Sequence, residues 1–179
     1  GNHDRAAAGL ETPRYFNPIA LTAILWTSDA LQEGLAEYLA SLPLWEAEGE
    51  AFYTHSSPCR PETWPYIHIP EEGRAALAYT EAGVCFVGHS HHPFVCSDAG
   101  DEVIGEGAAD LVATERYLIN TGSVGQPRDG DPRAAFTLWD QAADRIEIHR
   151  VPYDLEGAQR KIRSAGLPDL LAERLALGR

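Results

Sequence analysis

The sequence has 179 residues, 44% hydrophobic and 23% charged, an ordinary globular balance that excludes a disordered chain and suffices for one domain. Its 14 Lys and Arg face 27 Asp and Glu, a formal charge of -13, so a nucleic-acid polymer would meet net repulsion. No run approaches the roughly 18 apolar residues of a membrane span, and no signal-peptide pattern opens the chain. Three cysteines without CxxC spacing (Cys59, Cys85, Cys96) indicate neither a disulfide framework nor a zinc ribbon, and fit the reducing cytoplasm.

The sequence contains no Met and opens Gly1-Asn2-His3-Asp4, from which we expect a segment upstream. Asn17-Pro18 is an N-cap followed by a first-turn proline, and predicts a helix from about Ile19 to Trp26. A second helix is expected to begin near Ser28-Asp29, with Leu31, Leu35, Leu39 and Leu42 on one face, and to stop before Pro43. Ala51-Phe52-Tyr53-Thr54 reads as a strand ending at His55, with a proline-rich loop after it. Glu71 to Ala82 has helical composition. Val84 to Val87 is a continuous apolar run, expected to be a buried strand that ends at Gly88-His89. Pro93 to Cys96 and Tyr117 to Asn120 are further strands, and Ala134 to Trp139 with Arg145 to Val151 form a hairpin in an antiparallel part of the sheet. Two amphipathic helices, Asp154 to Ala165 and Pro168 to Leu177, finish the chain around Gly166. Strands and helices alternate through the middle, so the fold class is α/β.

Four groups stand at strand ends or at the chain start: Asn2-His3-Asp4, His55, His89 and His91. Neutral imidazole and an amide carbonyl suit borderline or hard divalent cations, and residues two apart in Gly88-His89-Ser90-His91 can face one cavity. One isolated histidine is more often a surface or capping residue; four such groups at strand ends reverse that preference.

These motifs resemble the calcineurin-like metallophosphoesterases. GNHD at Gly1 to Asp4, the strand-terminal His55, and GHSH at Gly88 to His91 match the last three metal-site motifs of that superfamily in order. Asn120 to Phe136, NTGSVGQPRDGDPRAAF, resembles the NxGSVGxPR segment of its small bacterial phosphodiesterase-like branch. The resemblance implies a sandwich of two mixed β-sheets flanked by helices, here one domain over 1–179. It also implies that the DxH and GDxxD motifs, absent from this chain, belong to a missing N-terminal portion, on another chain, removed or lost. Two divalent cations are implied, drawn from Mn, Fe, Zn, Co and Ni with manganese foremost, sharing a bridging water whose hydroxide attacks phosphorus. Carried over by motif, Asn2, His55 and His89 hold one metal, His91 the other, and His3 is the catalytic acid.

Asp4 either orients His3 or caps the following helix. Arg5 and Arg128 are candidate phosphate contacts, against a solvated arginine and a structural ion pair respectively. Arg60, Trp64, Tyr66 and His68 could stack on a base, although packing of their loop is the stronger reading. His92, Cys85 and Cys96 are left outside the site. The expected substrate is a small phosphoester or nucleotide, phosphodiester ahead of monoester, with a diadenosine polyphosphate or a phosphoprotein as alternatives. A non-catalytic metal-binding or protein-interaction module that keeps the fold is the rival from another class.

Overall fold

The computed structural model describes residues 1–12 and 16–179. The helices are α1 (Asn2–Ala7), α2 (Pro18–Ala30), α3 (Leu35–Ser41), α4 (Pro70–Ala76), α5 (Leu155–Ser164) and α6 (Asp169–Leu177). The strands are β1 (Trp45–Glu48), β2 (Ala51–Thr54), β3 (Val84–Val87), β4 (Phe94–Ser97), β5 (Glu102–Ile104), β6 (Gly107–Asp110), β7 (Tyr117–Asn120), β8 (Ala134–Asp140) and β9 (Arg145–Val151). They fall into two compact units: Gly1–Pro43 with Asp154–Ala176, and Leu44–Tyr153 with Leu177–Arg179.

The first unit is helical. Asn17 caps α2 as expected, its Oδ1 accepting from the Ile19 and Ala20 amides at 3.1 and 2.9 Å. The expected second helix is displaced. Ser28 and Asp29 lie inside α2, where the Thr27 hydroxyl donates back to the Ala23 carbonyl at 2.8 Å and the helix runs on to Ala30. α2 breaks at Leu31, whose ψ of 130° is extended, and α3 starts only at Leu35, after Gly34, whose φ of 82° is a left-handed turn that glycine adopts without cost. Leu31 and Leu42 therefore lie outside α3, which buries none of its residues. At the chain's other end, Asp154 Oδ1 accepts from the Gly157 amide at 2.8 Å and starts α5, while Gln159 Nε2 donates to the Ala172 carbonyl of α6 at 2.9 Å.

The second unit holds both sheets. One has six strands in the order β1-β2-β3-β7-β4-β5; β2, β3 and β7 run parallel, and the outer pairings are antiparallel. The other, β6-β9-β8, is antiparallel throughout, so the expected hairpin belongs to a second sheet rather than to the first. One face of the large sheet packs Val84, Val95, Tyr117 and Ile119 against Ile146 and Ile148 of the small sheet. Its opposite face packs Cys85, Val87, Phe94, Cys96 and Leu118 against Ile67, Ala76 and Leu77. Covering both faces makes β3, β4 and β7 the continuous apolar runs seen in the sequence.

The helix expected over Glu71 to Ala82 stops at Ala76 and tightens into a 3₁₀ turn, Leu77–Tyr79. A Cβ on Gly73 would lie 2.8 Å from Cys96 Sγ, so glycine lets α4 lie close on the sheet. β3 and β7 pair in parallel with Val87 opposite Asn120, and β2 pairs with β3 with Tyr53 opposite Phe86. The carboxyl ends of these three strands therefore share one sheet edge, the place where open α/β sheets bind ligands.

Candidate metal centre

His55 directly follows β2 and His89 follows β3 by one residue, and the Gly88 amide donates to the His55 carbonyl at 3.0 Å, tying the two strand ends together. Their rings meet. His55 Nε2 and His89 Nδ1 are 3.1 Å apart, with ring centroids at 4.9 Å. The opposite nitrogen of His89, Nε2, lies 3.1 Å from the Trp64 carbonyl. A carbonyl only accepts, so Nε2 carries the proton and Nδ1 is left as the lone-pair nitrogen facing His55. His91 follows the same rule on the other ring atom: its Nδ1 donates to the Gln126 carbonyl at 2.6 Å, which makes Nε2 its basic nitrogen. Backbone carbonyls that fix the tautomer and orientation of an imidazole are the usual support of a histidine metal ligand.

The backbone around these rings is strained. Among the described residues, the non-glycine positions with positive φ are Arg60 (51°), Trp64 (54°), His89 (62°), His91 (63°) and Asp144 (49°). All but Asp144, which sits in the β8–β9 turn, belong to the two loops that carry the histidines and their carbonyl partner. Such conformations persist only where surrounding contacts enforce them, and they gather at functional sites. The loop after His55 contributes by packing: Tyr66 stacks on His89 with centroids 4.0 Å apart and planes at 15°, and Trp64 meets His55 edge-on at 5.9 Å. Tyr66 also stacks on His68 at 5.1 Å. The packing reading of these aromatics is the one observed.

Asn2, His3, Asp4 and Arg5 stand on α1 in the helical unit. Asn2 is buried, and its Oδ1 has no hydrogen-bond partner among the described residues. A buried carbonyl oxygen left unsatisfied is costly, and a cation is one group that satisfies it. The His3 ring meets Phe16 edge-on at 4.9 Å. Asp4 Oδ2 accepts from the Gly1 nitrogen at 2.7 Å, the capping arrangement. Arg5 Nε donates to Glu11 Oε1 at 2.8 Å, so its guanidinium is engaged within its own unit. Arg128 differs: its Nε donates to the Gln126 side chain at 3.0 Å and its amide to the His91 carbonyl at 3.3 Å, with no carboxylate partner among the described residues. The structural ion pair weighed for Arg128 is thus replaced by a tie to the loop that holds His91.

Among the described residues, His, Cys, Asp and Glu side chains form no group of three or more placed to hold a metal. The convergent donors are the imidazoles of His55 and His89, a ligand type that suits a borderline divalent ion. A cavity of about 220 Å³ lies elsewhere, beside Val95, Glu102, Val103 and Tyr117, with Asp101 and Asp110 in its wall. Tyr117 begins β7, at the strand end opposite Asn120, and the cavity contains no histidine. What motif reading leaves out is the carbonyl role of Trp64 and Gln126. They act through main-chain carbonyls, which carry no residue signature.

No protein-family model matches the chain. It is 42% identical over 183 aligned positions to the uncharacterized protein MJ0912 of Methanocaldococcus jannaschii, covering 100% of this chain and 74% of that protein. Among solved structures, it is 37% identical to a metallophosphoesterase from Sphaerobacter thermophilus, with a TM-score of 0.87 over 100% of this chain and 75% of that one. The hypothetical protein PH1004 from Pyrococcus horikoshii OT3 shares the fold at 18% identity, with a TM-score of 0.77 over 99% and 71% of the two chains.

Proposed function

The chain belongs to the metallophosphoesterases, and from that membership we propose that it hydrolyses a phosphodiester of a small molecule or nucleotide at a pair of divalent cations, manganese foremost. The observation that carries this reading is the 3.1 Å approach of His55 Nε2 and His89 Nδ1, with the His89 proton committed to the Trp64 carbonyl. Two imidazole nitrogens converging at this distance are an arrangement that a shared divalent cation would satisfy. Asn2 is a further proposed metal ligand on the motif resemblance, with a buried Oδ1 that has no hydrogen-bond partner among the described residues. His91, through Nε2, is the proposed donor to the second. A segment carrying DxH and GDxxD, in this chain or another, is proposed to complete the pair. The free state of Cys59, Cys85 and Cys96 supports a reducing, cytoplasmic setting.

Bound cations supply positive charge against the phosphate oxygens and lower the pKa of an attacking water. The protein side of the chemistry is carried by few groups. His3 delivers a proton to the leaving oxygen, and Asp4 serves it by capping the helix on which it stands. Arg128, held by Gln126 and unpaired with any described carboxylate, offers its guanidinium to a non-reacting phosphate oxygen. Arg5 contributes less, because Glu11 already occupies it.

The test uses the complete protein with manganese and two diesters: bis(p-nitrophenyl) phosphate, whose phenolate leaves with little proton help, and a dinucleotide, whose alkoxide needs a proton. A p-nitrophenyl monoester is the third substrate, expected to be slower. His3→Ala should lower kcat on the dinucleotide by about 10²- to 10⁴-fold and affect the aryl diester far less. Equal turnover of the dinucleotide by wild type and His3→Ala overturns the acid assignment. Failure to hydrolyse any phosphoester with any of the five metals overturns the enzymatic reading in favour of a non-catalytic module.

A further inference from the structure

Between His89 and His91 sits Ser90, fully buried, and opposite it the fully buried Asn120 at the end of β7. Asn120 Nδ2 donates to Ser90 Oγ at 2.7 Å and is also 3.2 Å from the carbonyls of Gly88 and Ile67. Ser90 Oγ, accepting from Asn120, donates its own proton to the Ile67 carbonyl at 2.7 Å. Asn120 Oδ1 accepts from the Gly122 amide at 3.1 Å, which fixes the amide's orientation, since the nitrogen end must then face the three oxygens. Two buried side chains thus tie together four pieces of chain: the end of β3, the turn bearing both histidines, the loop that supplies the Trp64 carbonyl, and the glycine turn leading to Gln126.

The turn needs such a tie. His89 and His91 both hold positive φ, at 62° and 63°, a region disfavoured for residues with a Cβ. Ser90 is the residue between them, and its amide closes a tight contact to the Gly88 carbonyl at 2.7 Å. The Asn120 bond acts on the one residue between the two histidines, so its loss would let the Gly88–His91 stretch relax toward negative φ and shift both rings relative to their carbonyls. We propose that the Asn120–Ser90 pair is a positioning device for the metal centre, setting the backbone conformation from which His89 and His91 present opposite ring nitrogens. This inference rests on the proposed role of His55, His89 and His91 and deepens it, because it assigns work to Asn120 and Ser90, both fully buried.

The experiment uses the complete protein in three variants. Asn120→Asp keeps the shape and the Oδ1 acceptor but loses the donor, Ser90→Ala removes only the hydroxyl, and Ser90→Thr retains it. Histidine ring ¹⁵N shifts in metal-free protein report the tautomers, and cobalt(II) titration reports affinity. Wild type and Ser90→Thr should show His89 protonated at Nε2 and His91 at Nδ1. Asn120→Asp and Ser90→Ala should show averaged tautomer shifts at one or both rings, and cobalt affinity lower by about 10- to 100-fold, in protein that remains folded by circular dichroism. Wild-type tautomers and affinity in both variants, even with a lowered unfolding midpoint, overturn the inference and leave the pair a purely structural contact. Absence of cobalt binding by wild type overturns the metal reading instead, and the tautomer comparison alone then decides the role of the pair.

Discussion

Replacing Arg150 by Met probes the anchor beneath the loop that holds His91. The Arg150 side chain is 1% exposed; its Nη2 bonds Asp129 and its Nη1 donates to the Arg133 carbonyl at 3.3 Å. Met fills a similar length but makes neither bond. A charge-assisted hydrogen bond contributes about 1.5–3 kcal/mol and a neutral one about 1 kcal/mol, so the two together set the scale. Stripping one partner from a wholly buried pair costs about 3–5 kcal/mol. Asp129 keeps 19% of its side chain exposed, so water recovers part of its solvation and the lower end applies. The expected cost is about 3 kcal/mol, or roughly 6–12 °C in Tm for a chain of this size. Trp45, Trp64 and Trp139 lie in the same unit as Arg150, so tryptophan fluorescence during thermal or urea unfolding reads the loss there. Adding Asp129→Asn should recover about 1 kcal/mol by removing the stranded charge. A Tm within about 2 °C of wild type for R150M would refute the reasoning, because it would mean the buried guanidinium contributes no more than a methionine.

Three further outcomes follow from the core and the turns. Burial, with the neighbouring Cys96 second, pushes the Cys85 thiol up to about 12, and burial pushes Cys96 to about the same value. A folded pKa above the unfolded value of 9.0 means this stabilisation is complete below pH 9 and is lost as pH rises toward 12. Each thiol should therefore steepen the fall in urea midpoint above pH 9, by at most about 1.4 kcal/mol per pH unit, and Cys85→Ala should flatten it; an unchanged profile counts against the burial argument. Under native conditions a thiol reagent should modify Cys59 and leave the two buried cysteines unreacted. At Gly122, with φ at 73°, an added Cβ would stand 2.8 Å from Ala135 Cβ and 3.0 Å from Pro93 Cβ. Gly122→Ala should lower stability by about 2 kcal/mol, whereas Gly125→Ala, which meets nothing within 4 Å, should change it by less than about 0.5 kcal/mol; equal effects would contradict the close-approach argument.

What the sequence made legible follows from what is local. Val84 to Val87 and Tyr117 to Asn120 are buried on both faces and read as unbroken apolar runs, so the strands that end at His89 and at the Asn120 loop could be placed from composition. β1 and β6 could not. Trp45–Glu48 exposes all four residues, and Gly107–Asp110 contains no β-branched residue; pairing with β2 and β9, rather than propensity, makes them strands. The boundary between α2 and α3 lies elsewhere than Ser28-Asp29, which only resembles a cap: α2 ends at the extended Leu31 and α3 begins after the left-handed Gly34. The histidines were identifiable by their positions after strands, but their protonation is set from afar: by the Trp64 carbonyl, 25 positions from His89, and the Gln126 carbonyl, 35 positions from His91. Any residue has a carbonyl, so no motif announces these partners. Asn120 and Ser90 were visible only as members of longer matching stretches, their bond being a product of the parallel register of β3 and β7.

The central claim, that His55 and His89 are ligands of one cation, is tested most directly by cobalt(II) titration of the complete protein, following visible absorption. Wild type should bind with a ligand-field spectrum, His55→Ala and His89→Ala should each lose at least tenfold in affinity, and His68→Ala and His92→Ala, neighbours that stack or hydrogen-bond outside the ligand set, should match wild type. Binding by His55→Ala and His89→Ala as tight as by wild type would contradict it.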